Sequence, residues 1–319
     1  MKKLIILSMG LLLSSSLFFT ACKKDNTSDT ENMTESQVQS EDQSMVAGET
    51  DDVATDASTM AENVVAVSGF SAGNSGTTSW VNGPFFPNPC NATITYDTLG
   101  ANRTFTITYN GLNCNGTRTR TGVVTVSIPV GVKWKNAGAQ LTIAYSNLKI
   151  TRLSDGKSIT INGSKVITNV SGGLLRELAL HGPITHSITS SGMSITFDNG
   201  SQRTWQISKQ RVFTYDNGMV ITTTGTHTDG STTGISEWGT NRFGNAFVTQ
   251  ILSPMIIRQD CNFRLTAGQI KHSKLVRTVT VTFGLDSAGN PTTCPAGTYY
   301  MKIVWVNASG TTVTVIRPY

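Results

Sequence analysis

The chain is poor in the residues from which most catalytic and metal sites are built. Its 319 residues include only four histidines and five cysteines, and charged residues make up 14% of it. No Cys-x-x-Cys pair is present and no histidine stands near two cysteines, which removes the usual structural zinc patterns. Acids are scarcest where a hydrolase would need them: after residue 62 only nine Asp and Glu remain. Five of these, Asp155, Asp198, Asp216, Asp229 and Asp286, fall at expected turns, where a short acidic side chain sets turn geometry. A carboxylate pair across a cleft, as glycoside hydrolysis requires, is therefore not indicated. Helical periodicity is nearly absent too. "GGLLRELAL" (Gly172–Leu180) is the one candidate, as a short turn.

One long apolar run exists, at the start. Met1-Lys2-Lys3 is basic, Leu4 to Ala21 carries no charge, and Cys22-Lys23-Lys24-Asp25 follows. A basic start, an apolar middle and small residues before a cleavage point describe an export signal, removed before Cys22. The segment Phe19-Thr20-Ala21-Cys22 resembles the lipobox of bacterial lipoproteins, with Phe where Leu is commonest. In that family the cysteine is acylated and becomes the mature N-terminus. Two or three acyl chains exceed the single-chain threshold for stable anchoring. The charges just after the cysteine resemble those of Bacteroidota lipoproteins, in which they direct export to the cell surface. The expected address is an outer-membrane lipoprotein.

Between Asp25 and Glu62 stand 11 acids and no Lys or Arg. With few strong hydrophobes and one sign of charge, residues 22–62 read as a lipidated, disordered tether. Residues 63–319 then form one domain, with 21 Lys and Arg against nine acids, about +12. An acidic tether joined to a basic domain is a marked charge asymmetry. It reads first as a solvated surface, and more sharply as attraction to an anionic partner such as lipopolysaccharide, an acidic glycan or the tether itself. The cations are scattered and form no run, so nucleic acid is not expected.

From Val64 onward the pattern is strand almost throughout. "TFTITY" (Thr104–Tyr109), "VVTVSI" (Val123–Ile128), "QLTIAY" (Gln140–Tyr145), "SITIN" (Ser158–Asn162) and "TVTVTF" (Thr278–Phe283) alternate apolar residues with polar ones, mostly Thr. That period of two marks half-buried strands. Asp155-Gly156, Asn199-Gly200, Asn217-Gly218 and Asp229-Gly230 are hairpin dipeptides. The expected fold is all-β, an antiparallel meander forming a large sandwich or a curled sheet.

Two stretches match. "CNATIT…RTFTITYNGLNCNGT" (Cys90–Thr117) and "CNFRLT…RTVTVTFGLDSAGNPTTCPAGT" (Cys261–Thr298) both run Cys-Asn, strand, Arg-Thr strand, aromatic, Gly-Leu, Cys, Gly-Thr. This reads as an internal duplication at the two ends of the domain. In each unit the first cysteine opens one strand and the second closes the next. A hairpin would bring them together, so Cys90–Cys114 and Cys261–Cys294 are the expected disulfides. An exported address permits them.

Other motifs carry less. "GFSAG" (Gly69–Gly73) has the form of a nucleophile elbow around Ser71, but no helix pattern follows it and no α/β alternation surrounds it. His181 and His186 are five apart with Gly182-Pro183 between them, which breaks the helix a zinc pair would need. Glu237, Trp238, Asn241 and Arg242, in "SEWGTNRFGN", combine a flat aromatic face with hydrogen-bonding groups and are the candidate ligand-binding residues. No catalytic residue, metal or cofactor is expected. The globular part as a whole resembles uncharacterised secreted lipoproteins of the Bacteroidota, a resemblance that implies the address and the all-β fold but carries over no activity. The expectation is a membrane-anchored, non-enzymatic lipoprotein with a structural, adhesive or ligand-binding β domain. The alternative is a carbohydrate-binding or glycan-processing envelope component.

Overall fold

The computed structural model describes residues 27–64, 89–97, 100–114, 116–274, 278–294, 297–306 and 310–319. It holds one long helix, α1 (Thr27–Asn63), and 15 strands in a single sheet. The strands are β1 (Ala92–Asp97), β2 (Asn102–Leu112), β3 (Arg118–Pro129), β4 (Ala139–Arg152), β5 (Ser158–Asn169), β6 (Ile184–Phe197), β7 (Gln202–Tyr215) and β8 (Met219–Gly225). Then come β9 (His227–Asp229), β10 (Thr232–Thr240), β11 (Ala246–Arg258), β12 (Arg264–Lys274), β13 (Thr278–Leu285), β14 (Tyr300–Val306) and β15 (Thr312–Pro318). "GGLLRELAL" folds as a 3₁₀ turn (Leu175–Glu177) and a short helix α2 (Leu178–His181).

The all-β meander expected from the alternation is what forms: each strand pairs antiparallel with the next from β1 to β7 and from β11 to β15. One continuous sheet forms, not a two-sheet sandwich. The hairpin dipeptides sit at the β4–β5, β6–β7, β7–β8 and β9–β10 turns, with positive φ at Gly156, Gly200, Asn217, Gly218 and Gly230. Both expected disulfides are present, Cys90–Cys114 and Cys261–Cys294, closing separations of 24 and 33 residues. Loops of that length restrict the unfolded chain by roughly 3 kcal/mol each. The first bridge joins the start of β1 to the end of β2; the second joins the approach to β12 to the segment after β13. Following the up-and-down strand directions, the two bridges lie at opposite rims of the sheet.

The middle of the sheet departs from a plain meander. β7 pairs with β10 through Thr204–Ile207 and with β8 through Lys209–Tyr215. β11 pairs with β10 through Ala246–Gln250 and with β8 through Met255–Arg258. So β8 and β10 share one lane, end to end, while β9 and its turn leave the lane and return. Glycine makes the join possible: a Cβ on Gly225 would lie 2.1 Å from the carbonyl oxygen of Gly234.

α1 corrects the sequence reading. Residues 27–62 of the expected tether are helical, and the helix shares one core with the sheet. Val46, Val53, Ala57 and Met60 are fully buried, with Thr50, Ala61 and Val64 beside them, against Phe105, Ile107, Val124, Ile143, Ile161 and Trp205. At about 100° per residue these positions form one stripe. Glu49, Asp52 and Asp56 fall on one flank of it, Asp51 and Glu62 on the other. Disorder was expected because the stripe uses Val, Ala, Met and Thr rather than Leu or Ile, and because the acids were read without partners. Their partners are cations on the sheet.

Those contacts also show the curvature. α1 touches residues of β2, β3, β5 and β7 and of the β10–β11 turn. Eight lanes at about 4.8 Å spacing would span over 30 Å if flat, whereas a helix is only about 10 Å across. The sheet therefore curls around α1. Its outward positions on β4 are Gln140, Thr142, Ala144, Ser146 and Lys149, mostly polar.

Gly225→Val should destabilise the fold by about 3 kcal/mol in urea unfolding, because the β8–β10 join cannot open without breaking pairs on both sides. Gly230→Ala, at an open turn with positive φ, should cost about 1 kcal/mol. Equal effects at the two positions would contradict the shared lane.

Candidate functional site: the charge seam between helix and sheet

Alternation places one side chain in two on the concave face of each strand. In β3, β5 and β7 several of those inward positions hold Arg or Lys instead of an aliphatic residue. They meet the flanks of α1 in two rows.

On the first flank, Arg120 donates to Asp52 Oδ2 at 2.9 Å and to Asp56 Oδ2 at 3.4 Å, and its guanidinium lies 3.7 Å from Glu49 Oε2. Arg118 pairs with the same glutamate. The Tyr109 hydroxyl donates to Asp56 Oδ2 at 2.6 Å. Burial pushes the Glu49 carboxyl up to about 7 despite Arg118 and Arg120, and the Asp56 carboxyl up to about 6.

On the second flank, Lys209 Nζ lies 3.1 Å from Asp51 Oδ1, and Arg211 pairs with the other oxygen. Burial alone would raise the Asp51 carboxyl, but Arg211, Lys209 and Lys165 together hold it down to about 2. Lys165, fully buried, donates to the Thr50 carbonyl at 2.5 Å, and burial lowers its ammonium to about 7.

The two ends are fastened as well. Near one rim, Arg242 Nε donates to Asp42 Oδ2 at 2.6 Å, with the guanidinium 3.6 Å from the Phe197 ring centre. Near the other, the Leu175 and Arg176 amides donate to Glu62 at 2.7 and 3.2 Å, so Glu62 caps the 3₁₀ turn, and Arg176 donates to the Glu62 carbonyl. Burial pushes the Glu62 carboxyl up to about 7.

Carboxyls and an amine titrating near neutrality are the raw material of acid–base chemistry, but structural ion-pair networks perturb pKa in the same way. The geometry shows where these groups are turned: each faces a partner across the helix–sheet seam. A cavity beside the second flank, lined by Thr55, Ser58, His186 and Arg211 among others and not by Glu49, Asp56 or Lys165, has a volume of about 20 Å³. That holds one water, where a small-molecule site needs roughly 300 Å³ or more. What the arrangement does is bind a helix.

The candidate ligand-binding residues are not brought together. Glu237 points inward, where Trp205 Nε1 donates to it at 2.8 Å and Lys209 lies at 3.8 Å. Trp238, the next residue, points outward and stacks on His227 with ring centres 4.0 Å apart. Asn241 is fully buried and accepts the Phe243 and Asn245 amides, shaping the β10–β11 turn. Arg242 is committed to Asp42. His181 is exposed, whereas His186 is buried between Trp134 and Phe213, so the two form no ligand pair. Cys22 and Ser71 lie outside the described residues. The seam residues Arg118, Arg120, Lys165, Lys209 and Arg211 were missed from sequence; their signal was a cation at an inward strand position facing an excess of acids elsewhere. Comparison with known protein families, with characterised proteins and with solved structures returned no match.

The raised Glu49 carboxyl gives a signed test. A group whose folded pKa exceeds its unfolded one stabilises fully below the unfolded value and loses that contribution as pH rises through the folded value. For Glu49 the window runs from 4.5 to about 7. Glu49→Gln, neutral throughout, should therefore gain on wild type across that window, by about 2–3 kcal/mol, and no further above it. Urea unfolding of both proteins from pH 4.5 to 8 measures this, and parallel profiles would contradict it. On the opposing strand, Arg120→Met leaves Asp52 and Asp56 facing an apolar side chain and should cost about 3–5 kcal/mol at pH 7.

Proposed function

We propose that this protein is a lipid-anchored, non-enzymatic envelope lipoprotein whose curled sheet is a binding shell for an acidic helix, with α1 as the resident occupant. The observation that carries the reading is the charge seam: Arg120, Lys209, Arg211 and Arg242, all buried or half-buried, grip α1 from both flanks. Glu49, Asp56 and Lys165, the groups whose titration best suits catalysis, belong to that grip.

The anchoring half rests on the lipobox-like segment at Cys22 and on the two disulfides, which suit an exported protein. α1 begins five residues after Cys22. The segment expected to be a loose tether thus supplies the spine of the domain, with its first described contact to the sheet at Asp42. The acids of α1, pairing with Arg120, Lys209 and Arg242, support the reading in which the chain's own acidic segment is the anionic partner. The carbohydrate reading leaned on four residues forming one patch, but Glu237 and Trp238 face opposite sides of β10, Asn241 shapes the turn after it and Arg242 pairs with Asp42. The matched cysteine hairpins remain best read as an ancient duplication, each unit now closing one rim.

Growth with labelled palmitate tests the address. The wild-type chain should take up label and sediment with membranes, while Cys22→Ala should do neither and should melt at an unchanged temperature. Label retained by Cys22→Ala, or absent from both, would overturn the anchoring.

A further inference from the structure

We propose that α1 is exchangeable between copies: where chains crowd, the acidic helix of one docks in the curled sheet of another, and the seam is a reciprocal interface between neighbours.

Three observations carry this. First, the contacts described between α1 and the sheet all use a side chain on at least one partner, such as Asp42–Arg242, Asp51–Lys209, Asp52–Arg120 and Lys165 to the Thr50 carbonyl. Among the described residues no strand pairing runs between the helix and its own sheet, so these contacts form whichever chain supplies the helix.

Second, the connection is long enough. α1 ends beside Leu175 and Arg176, at one rim. β1 begins at the opposite rim, where the Asn91 side chain donates to the Leu112 carbonyl. Between Val64 and Pro89 stand 24 residues, a chain length of up to about 80 Å, against a sheet height of about 45 Å for strands of this length. By length alone, then, the helix of one chain can reach a neighbouring sheet.

Third, the seam is charged rather than uniformly apolar. Acids that are buried when docked keep α1 soluble when it is free, and the Arg and Lys of the sheet likewise hydrate well. A seam with this composition gains less net stability from its ion pairs than its contact list suggests, because each charge loses water on docking. Release is correspondingly easier than from an all-aliphatic groove. Exchange replaces each contact with its equal and loses only association entropy. The high local concentration of a membrane-bound protein offsets that loss. The crowding rests on the anchoring reading above; the exchange itself does not.

The test therefore uses full-length chains carrying Cys22→Ala, so that lipidation cannot affect it. One chain adds Asp42→Arg and the other adds Arg242→Asp. Within either chain the rim pair now repels, and each should melt about 5 °C lower than the parent. Exchange repairs both at once. The arginine-bearing helix meets the aspartate-bearing sheet, and the unaltered helix meets the unaltered sheet. Co-refolded at high concentration, the mixture should yield a two-chain species by native mass spectrometry and should recover most of the lost melting temperature. A mixture of single chains melting as the two variants do separately would overturn the proposal. The double variant in one chain, Asp42→Arg with Arg242→Asp, checks that the reversed pair is accommodated. If it is not, unaltered sequences given two different fluorophores supply the same reading: energy transfer after co-refolding supports exchange, and its absence refutes it.

Discussion

Opposite charges meeting across a low-dielectric seam are what the rest of this structure depends on. A sheet with Arg and Lys at inward positions cannot close over an apolar filling without leaving cations unpaired, a loss of several kcal/mol for each. A helix dense in acids cannot enter a protein interior on the strength of Val, Ala and Met alone. Each element is unfavourable by itself and acceptable to the other. The curl of the sheet follows from this, because strands from β2 to β10 must all reach the same narrow helix.

The apolar stripe and the acidic flanks of α1 divide the work. The stripe supplies burial, at roughly 1.5–3 kcal/mol for a large side chain. The flanks supply position. With Arg120 on one side and Lys209 with Arg211 on the other, α1 cannot roll without stretching a set of pairs. Asp42 and Glu62, fastened near opposite rims, keep it from sliding. Elsewhere glycine takes over where side chains would obstruct, as at Gly225 and Gly234, where the end of β8 meets the start of β10 in one lane.

Much of the fold was legible in the sequence because it was written in local terms. Period-two runs such as Thr278–Phe283 and dipeptides such as Asn217-Gly218 act over a few residues, and they sit on strands and turns. The cysteine pairing was readable because the same order of Cys, strand, strand and Cys occurred twice. α1 was not legible for the opposite reason. Whether Asp51 is a solvated charge or a buried one depends on Lys209 and Arg211, over 150 residues away, and no window on residues 25–62 contains them. The candidate patch at 237–242 failed on geometry of the simplest kind. Adjacent residues in a strand face opposite ways, so Glu237 and Trp238 could not share a surface.

The direction of α1 has a mechanical corollary. The helix runs from the rim of Arg242 to the rim of Leu175, roughly along the strands. A pull applied through its N-terminal end loads the ion pairs of both flanks together, in shear, instead of peeling them one after another. Connections loaded in parallel resist force better than the same connections loaded in series. A domain pulled through that end of α1 would resist withdrawal of the helix better than one pulled across its strands.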